Sequence, residues 1–181
     1  NSSKNNLFDD YADKIIGKLL EKNQKTVLRT HPETLIRSNK NLKIIKEKYS
    51  SNKNFRLNTD LRSLEFLNES SILITDNGGM ALEYLIIQRK PVLYVEYNEK
   101  IHNKFFDKLN LETFEDRVKS DIGTTISVKD LDKIDFFLKE TQNNFNKNFH
   151  KMDDLLIKFG VITDNQIQNQ KETILKLLLR I

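Results

Sequence analysis

The sequence predicts an α/β fold in which helices flank a parallel sheet and a helical tail follows it. Short apolar and β-branched runs alternate along the chain with segments whose apolar residues recur at helical spacing, as in βαβ units. Two of the runs, Ile72–Thr75 and Pro91–Tyr97, are largely apolar instead of alternating between apolar and polar residues. Such runs are typical of strands that are buried on both faces of a parallel sheet.

The first 71 residues predict the order helix, strand, helix, strand, helix. Apolar residues over Leu7–Asn23 recur at the period of one buried helix face. Pro32 ends the first strand, because proline disfavours a central strand position, and Asp60 is expected to cap the third helix. The segments between them are a strand over 26–30, a helix over 41–51, a strand over 54–58 and a helix over 60–71.

The next part of the chain predicts a further βαβ unit. The strand Ile72–Thr75 leads into a short, largely apolar helix over 80–87, and Pro91 opens the following strand. Proline fits there, because no hydrogen-bond donor of the ladder is lost at the first position of a strand.

The C-terminal part of the chain is helical in pattern. Apolar residues recur at helical spacing from Lys129 to the end, with a break near Gly160. We therefore expect a sheet-containing domain over 1–128 and a helical C-terminal extension over 129–181 that packs on it.

The composition excludes several classes of protein. With 38% hydrophobic and 31% charged residues, the chain is expected to be globular and not disordered. No apolar run approaches the roughly 20 residues that span a bilayer, and the first residues lack the pattern of a signal peptide. The absence of cysteine excludes disulfides and thiolate metal sites. The net charge of +4 comes from lysines spread along the chain, so we expect a solvated surface and no nucleic-acid partner.

The sequence also predicts missing domains, the cellular location and the need for cofactors. It begins at Asn1 and not at a methionine, so we expect a piece of a longer protein, with part of the active site on the missing piece. The lack of cysteine fits a reducing cytoplasm, and peripheral association of the full-length protein with the inner face of the membrane stays open. No cofactor and no metal are expected, because no pair of His and Glu has metal-ligand spacing.

The candidate site is the sequence Asn77-Gly78-Gly79, which joins an apolar strand to a helix. In an open α/β sheet, ligands bind beyond the carboxyl ends of the strands, where helix N-termini present unpaired N–H groups. Glycines there allow a positive φ and let an anion approach the backbone, as in a phosphate cradle. Glu83, in the first turns of the same helix, is placed to accept hydrogen bonds from ribose hydroxyls. The alternative is an ordinary tight turn followed by a solvated glutamate.

The stretch "SSILITDNGGMALEYLIIQRKPVLYV", together with "LRTHPE", resembles the nucleotide-binding, Rossmann-like C-terminal half of the glycosyltransferase B fold. It is most similar to the glycerophosphotransferases that use CDP-glycerol to build teichoic acids and capsules. That family has an apolar strand, Thr-Asp, an aromatic residue, two serines, an acidic helix residue and then Lys-Pro. Here Gly78 and Gly79 stand at the serine positions and Asn77 at the aromatic one. The glycine pair and Glu83 also resemble the bacterial UDP-N-acetylglucosamine 2-epimerases. The resemblance runs from about Thr26 to Val95.

The resemblance implies a set of site residues. The histidine of the family's His-Pro pair reaches the donor pyrophosphate, so His31 is the candidate catalytic residue. As an imidazolium it would neutralise charge on the departing nucleotide phosphate; by itself it reads as a surface loop histidine. Asp76 is a candidate ligand residue that is also suited to capping the following helix. The residues expected to bind the nucleotide diphosphate are Arg29, His31, Thr75, Asp76, Asn77, Gly78, Gly79 and Glu83.

The resemblance implies the donor-binding domain of a transferase, over residues 1–128. It would move a glycerol phosphate or a sugar from a CDP- or UDP-linked donor to a cell-surface polysaccharide. The base that activates the acceptor would lie on a missing N-terminal domain, so this piece is expected to bind its donor without turnover. Two other hypotheses remain: a fragment of an enzyme similar to the NDP-sugar 2-epimerases, and a non-catalytic α/β interaction module in which the glycine loop is structural.

Overall fold

The computed structural model describes residues 7–30, 35, 39–60, 65–76, 79–97, 114–158 and 160. Within these ranges helices and strands alternate over most of the chain, as the sequence predicts. The elements are α1 (Leu7–Glu21), β1 (Thr26–Arg29), α2 (Asn39–Tyr49), β2 (Phe55–Asn58), α3 (Glu65–Glu69), β3 (Leu73–Thr75), α4 (Gly79–Gln88), β4 (Val92–Glu96), α5 (Phe114–Asp121), β5 (Thr124–Ser127), a 3₁₀ helix (Val128–Lys133), α6 (Ile134–Asn148) and α7 (Lys151–Lys158).

All the strand pairs in the described ranges are parallel, which confirms an α/β fold with parallel strands flanked by helices. β1 pairs with β2, with Thr26 opposite Phe55. β4 lies between β3 and β5, and its Tyr94 is opposite Thr75 on one side and Thr125 on the other. The strands therefore form a two-stranded and a three-stranded ladder, where the sequence predicts one sheet. β3 is only three residues long, and all three pair with β4.

The central strand β4 is covered on both faces. Its residues alternate, so that Val92 and Tyr94 pack with α3, α4, α5 and α7, whereas Leu93 and Val95 pack with α1, the 3₁₀ helix and the start of α6. All four side chains are at most 4% exposed. Burial of each such side chain stabilises the fold by about 1.5 to 3 kcal/mol. This explains why β4 is apolar from Val92 to Val95, before the exposed Glu96 at its end.

The two ladders are joined by their side chains. In β1, Val27 packs against the core cluster that also contains residues of α4, together with Leu73 of β3. The next residue, Leu28, points to the other face and packs on α1 and α2 with Phe55 of β2. Helices α2 and α4 therefore pack on opposite faces of β1.

Most of the predicted elements agree with the structure to within two residues. The predicted helix over 60–71 is described only as α3, because residues 61–64 lie outside the described ranges, and so the capping role of Asp60 stays a prediction. Helix α5 and strand β5 were not predicted. Helices α6 and α7 agree with the predicted helical C-terminal part, whose residues 161–181 also lie outside these ranges. Among the helices that are described, none has the length and apolar character to cross a membrane.

Candidate functional site

The carboxyl end of β1 meets the start of α4 through one side chain. Arg29 is the last residue of β1, and its Nη1 donates a hydrogen bond to the Sδ of Met80 at 3.3 Å. Met80 is the second residue of α4, which follows β3 after a short connection. The contact joins residues that are 51 positions apart in sequence. It brings together two of the predicted site segments, the end of β1 and the start of the helix that follows β3.

The Arg29 guanidinium also lies over an aromatic ring. Its Cζ is 4.9 Å from the centroid of the Phe66 ring, which belongs to α3 and is 6% exposed. A guanidinium over a ring face gains about 0.5 to 2 kcal/mol, more when water is excluded. The ring and the Met80 thioether thus hold a positive charge beside the N-terminus of α4, where the helix dipole is also positive. This combination favours an anionic ligand.

Gly79 begins α4 and is exposed. The positive φ that the sequence allows for it is not adopted, since Gly160 is the glycine with a positive φ in the described part of the chain. A Cβ built on Gly79 would meet nothing within 4 Å. The glycine therefore does not relieve backbone strain. What it provides is open access to the first N–H groups of α4, which is the property that a phosphate cradle needs.

The other predicted ligand residues differ in how they are presented. Thr75 is the last residue of β3 and is half-buried, as is Asp76 after it. Glu83 is exposed, lies one helical turn beyond Gly79, and makes no hydrogen bond or ion pair with the residues that the structure describes. His31, Asn77 and Gly78 lie outside the described ranges, so their roles stay predictions.

Part of the motif has a structural function that the sequence did not reveal. The Lys90 Nζ donates to the carbonyl oxygens of Leu67 at 3.3 Å, Asn68 at 2.6 Å and Ser70 at 2.8 Å, and so caps the C-terminal end of α3. The Tyr84 hydroxyl donates to the same Ser70 carbonyl at 3.0 Å, and its burial raises the pKa of that hydroxyl. Capping of helix carbonyls by lysine is a general device, but its partners are set by tertiary packing.

The carboxyl end of β4 has the opposite electrostatic character. Tyr97 follows β4 and donates a hydrogen bond to the Oδ2 of Asp10 in the first turn of α1, with its ring 5.5 Å from that of Tyr11. The bond to the Asp10 carboxylate raises the pKa of Tyr97 to about 12. An acidic residue of the first turn of α1 therefore lies beside the carboxyl end of β4. No group of three or more metal-ligating side chains occurs within the described ranges.

A groove lies at the amino end of β5. It is lined by Gly123, Thr124, Glu140, Asn143, Asn144 and Lys147. Its main polar group serves the packing of α6 on β5, because the Asn144 side-chain amide donates to the Gly123 carbonyl at 2.6 Å. This groove contains none of the predicted ligand residues and lies at the amino end of its strand, away from the edge where ligands of parallel sheets bind.

Comparison of the chain with protein-family profiles, with curated proteins and with solved structures finds no match.

Proposed function

We propose that this chain is the donor-binding domain of a transferase that moves a glycerol phosphate or a sugar from a CDP- or UDP-linked donor to a cell-surface polysaccharide. The observation that carries the proposal is the contact of Arg29 with Met80, which brings a guanidinium to an accessible helix N-terminus. Both groups favour the same ligand, since arginine forks and helix N-termini each bind phosphate oxygens. In the proposed complex a diphosphate contacts both.

The topology supports the same location. Val27 of β1 and Leu73 of β3 pack against one core cluster, so the ladders β2-β1 and β3-β4-β5 are compatible with the doubly wound strand order 2-1-3-4-5. In that order, the helix that follows β1 and the helix that follows β3 lie on opposite faces of the sheet. Here α2 and α4 lie on opposite faces in the same way. The crevice between the carboxyl ends of β1 and β3 is then the topological switch point, where such folds bind nucleotides. Arg29 and Gly79 border this crevice.

In the proposed complex, each group has one task. The diphosphate binds the N–H groups at the start of α4 and the Arg29 guanidinium, and the exposed carboxylate of Glu83 accepts hydrogen bonds from the ribose. His31 follows β1 by two residues and would stabilise charge on the departing phosphate, as the family resemblance implies. The acceptor and its activating base belong to the N-terminal domain that the resemblance also implies.

One observation favours a non-catalytic module instead. Gly79 has no conformational reason to be glycine, and Tyr84 and Lys90 of the same stretch stabilise α3. A stretch that only builds the fold would have these contacts and would bind no nucleotide.

A ligand panel separates these functions. The melting temperature of the 181-residue chain is measured with CDP-glycerol, UDP-sugars including UDP-N-acetylglucosamine, GDP-sugars and CMP-sugars at millimolar concentration. A ligand that binds only the folded state, at about a hundred times its dissociation constant, adds roughly 2.7 kcal/mol of stability. We expect a cytidine or uridine diphosphate to do so. A shift with UDP-N-acetylglucosamine alone would favour the epimerase-like enzyme, and no shift with any ligand would favour the module.

A further inference from the structure

We infer that Phe66 is a positioning residue of the proposed site, which holds the Arg29 guanidinium in place for the diphosphate. The inference rests on the proposed function. Phe66 itself is 6% exposed and belongs to the core cluster, so it does not touch the ligand. Its effect on binding would be exerted through Arg29.

The guanidinium is in contact with an aromatic ring and with a thioether. The Phe66 ring lies 4.9 Å from the Arg29 Cζ and supports one face of the planar group. The Met80 Sδ accepts a hydrogen bond from Nη1 at 3.3 Å and directs one edge towards the start of α4. The three residues come from β1, α3 and α4, so the arrangement forms only when the elements are packed together.

The physical benefit is preorganisation. An arginine side chain has about 2 kcal/mol of rotamer entropy, part of which is lost whenever it binds a ligand. If the ring already holds the guanidinium, that loss occurs on folding and not on binding. A thioether is only a weak acceptor, so a phosphate oxygen can replace the Met80 sulfur at little cost. Lysine lacks the planar group and cannot use the ring face in this way.

The test compares two neighbouring core residues. Phe66→Leu removes the ring, whereas Leu67→Ala changes a residue of the same helix and the same cluster that is also 6% exposed and has no ring to offer Arg29. The dissociation constants of inorganic pyrophosphate and of CDP-glycerol are measured by calorimetry, and stability is measured by urea unfolding. We expect Phe66→Leu to weaken binding about threefold to tenfold. Leu67→Ala should bind as the wild type does, even where it is the less stable variant.

A double-mutant cycle distinguishes positioning from general packing. In the Arg29→Met background, the additional Phe66→Leu change should not weaken binding further, because its effect passes through the guanidinium. If Phe66→Leu does not fold, Phe66→Met also removes the ring, keeps a similar apolar volume and takes its place in the cycle. Phe66→Tyr keeps the ring face and should retain most of the binding.

The outcomes separate the two proposals. Binding that is lost in Arg29→Met but unchanged in Phe66→Leu or Phe66→Met would overturn the positioning role and leave the proposed function intact. Equal weakening by Phe66→Leu and Leu67→Ala would do the same, since it would show a general packing effect. If the wild-type chain binds neither pyrophosphate nor any nucleotide diphosphate, both the function and the inference are wrong.

Discussion

Replacement of Gly79 by valine should abolish donor binding without loss of stability. In the structure a Cβ at position 79 meets nothing within 4 Å, and the residue has no left-handed φ. A side chain there therefore causes neither a clash nor backbone strain. The helix propensities of glycine and valine differ by only a few tenths of a kcal/mol, so the free energy of unfolding should change by less than about 1 kcal/mol.

The same open space is where the phosphate would lie. A valine at the first position of α4 covers the N–H groups that the diphosphate needs, and we expect at least about a tenfold loss of affinity, or 1.4 kcal/mol. Urea unfolding and calorimetric titration with CDP-glycerol measure the two effects separately. Full affinity in a folded Gly79→Val protein would show that the phosphates do not bind at the start of α4.

A second glycine provides the matched control. A Cβ at Gly123 would lie 2.7 Å from the Cε2 of Tyr94 and 3.0 Å from the Lys119 carbonyl oxygen. Gly123→Ala should therefore cost about 1 to 3 kcal/mol of stability through overpacking. Its position before β5 is at the amino end of that strand, away from Arg29, so donor affinity should stay unchanged. The two glycine variants thus have opposite expected effects on stability and on binding.

Three further variants test single contacts. Glu83→Gln should weaken nucleotide diphosphate binding about tenfold, since a charged ribose acceptor is lost, and should leave pyrophosphate binding unchanged; equal losses for both ligands in calorimetry would contradict a ribose contact. Lys90→Ala should lower the free energy of unfolding by about 1 kcal/mol in urea titrations, because three carbonyls near the end of α3 lose a charged donor, although those of Leu67 and Ser70 keep bonds from the Ser70 and Tyr84 hydroxyls; an unchanged midpoint would show that water replaces it. The hydrogen bond from Lys18 lowers the pKa of Asp132 below its ordinary value. The stability that this hydrogen bond contributes is present above the pKa that Asp132 has in the unfolded chain. It is lost as the pH falls through the lower pKa of Asp132 in the folded protein. In Asp132→Asn the free energy of unfolding should therefore fall less steeply as the pH is lowered below about 4. An unchanged pH dependence would show that the Lys18–Asp132 pair contributes nothing to stability.

Periodicity predicted the elements whose residues repeat at a clear spacing. The apolar face of α1 and the apolar run of β4 are long enough to specify their type and their burial. Strand β5 was missed because it has only four residues, of which Ile126 alone is an apolar side chain. Helix α5 was missed for a similar reason, since Val118 is its only buried residue. The division of the strands into two ladders depends on tertiary packing, so it cannot be predicted from the local sequence of any strand.

The sequence placed Arg29 and the start of α4 at the carboxyl ends of strands, and the structure brings Arg29 and Met80 into contact. That a ligand binds there stays a prediction. The sequence did not single out Phe66, because a buried aromatic residue in a helix reads as ordinary core. It also could not show that Lys90 caps α3, since that contact spans 20 or more residues. These contacts exist only after tertiary packing.

The most direct test of the account is a calorimetric titration of CDP-glycerol and UDP-linked donors into the wild type, Arg29→Gln and Arg56→Gln. Arg56 is the matched control, because it lies on β2 in an exposed pair with Glu69 at 2.7 Å, away from the start of α4. We expect the wild type and Arg56→Gln to bind a nucleotide diphosphate with the same affinity. Arg29→Gln should bind it at least about tenfold more weakly. Equal binding by all three proteins, or no binding by the wild type, would contradict the account.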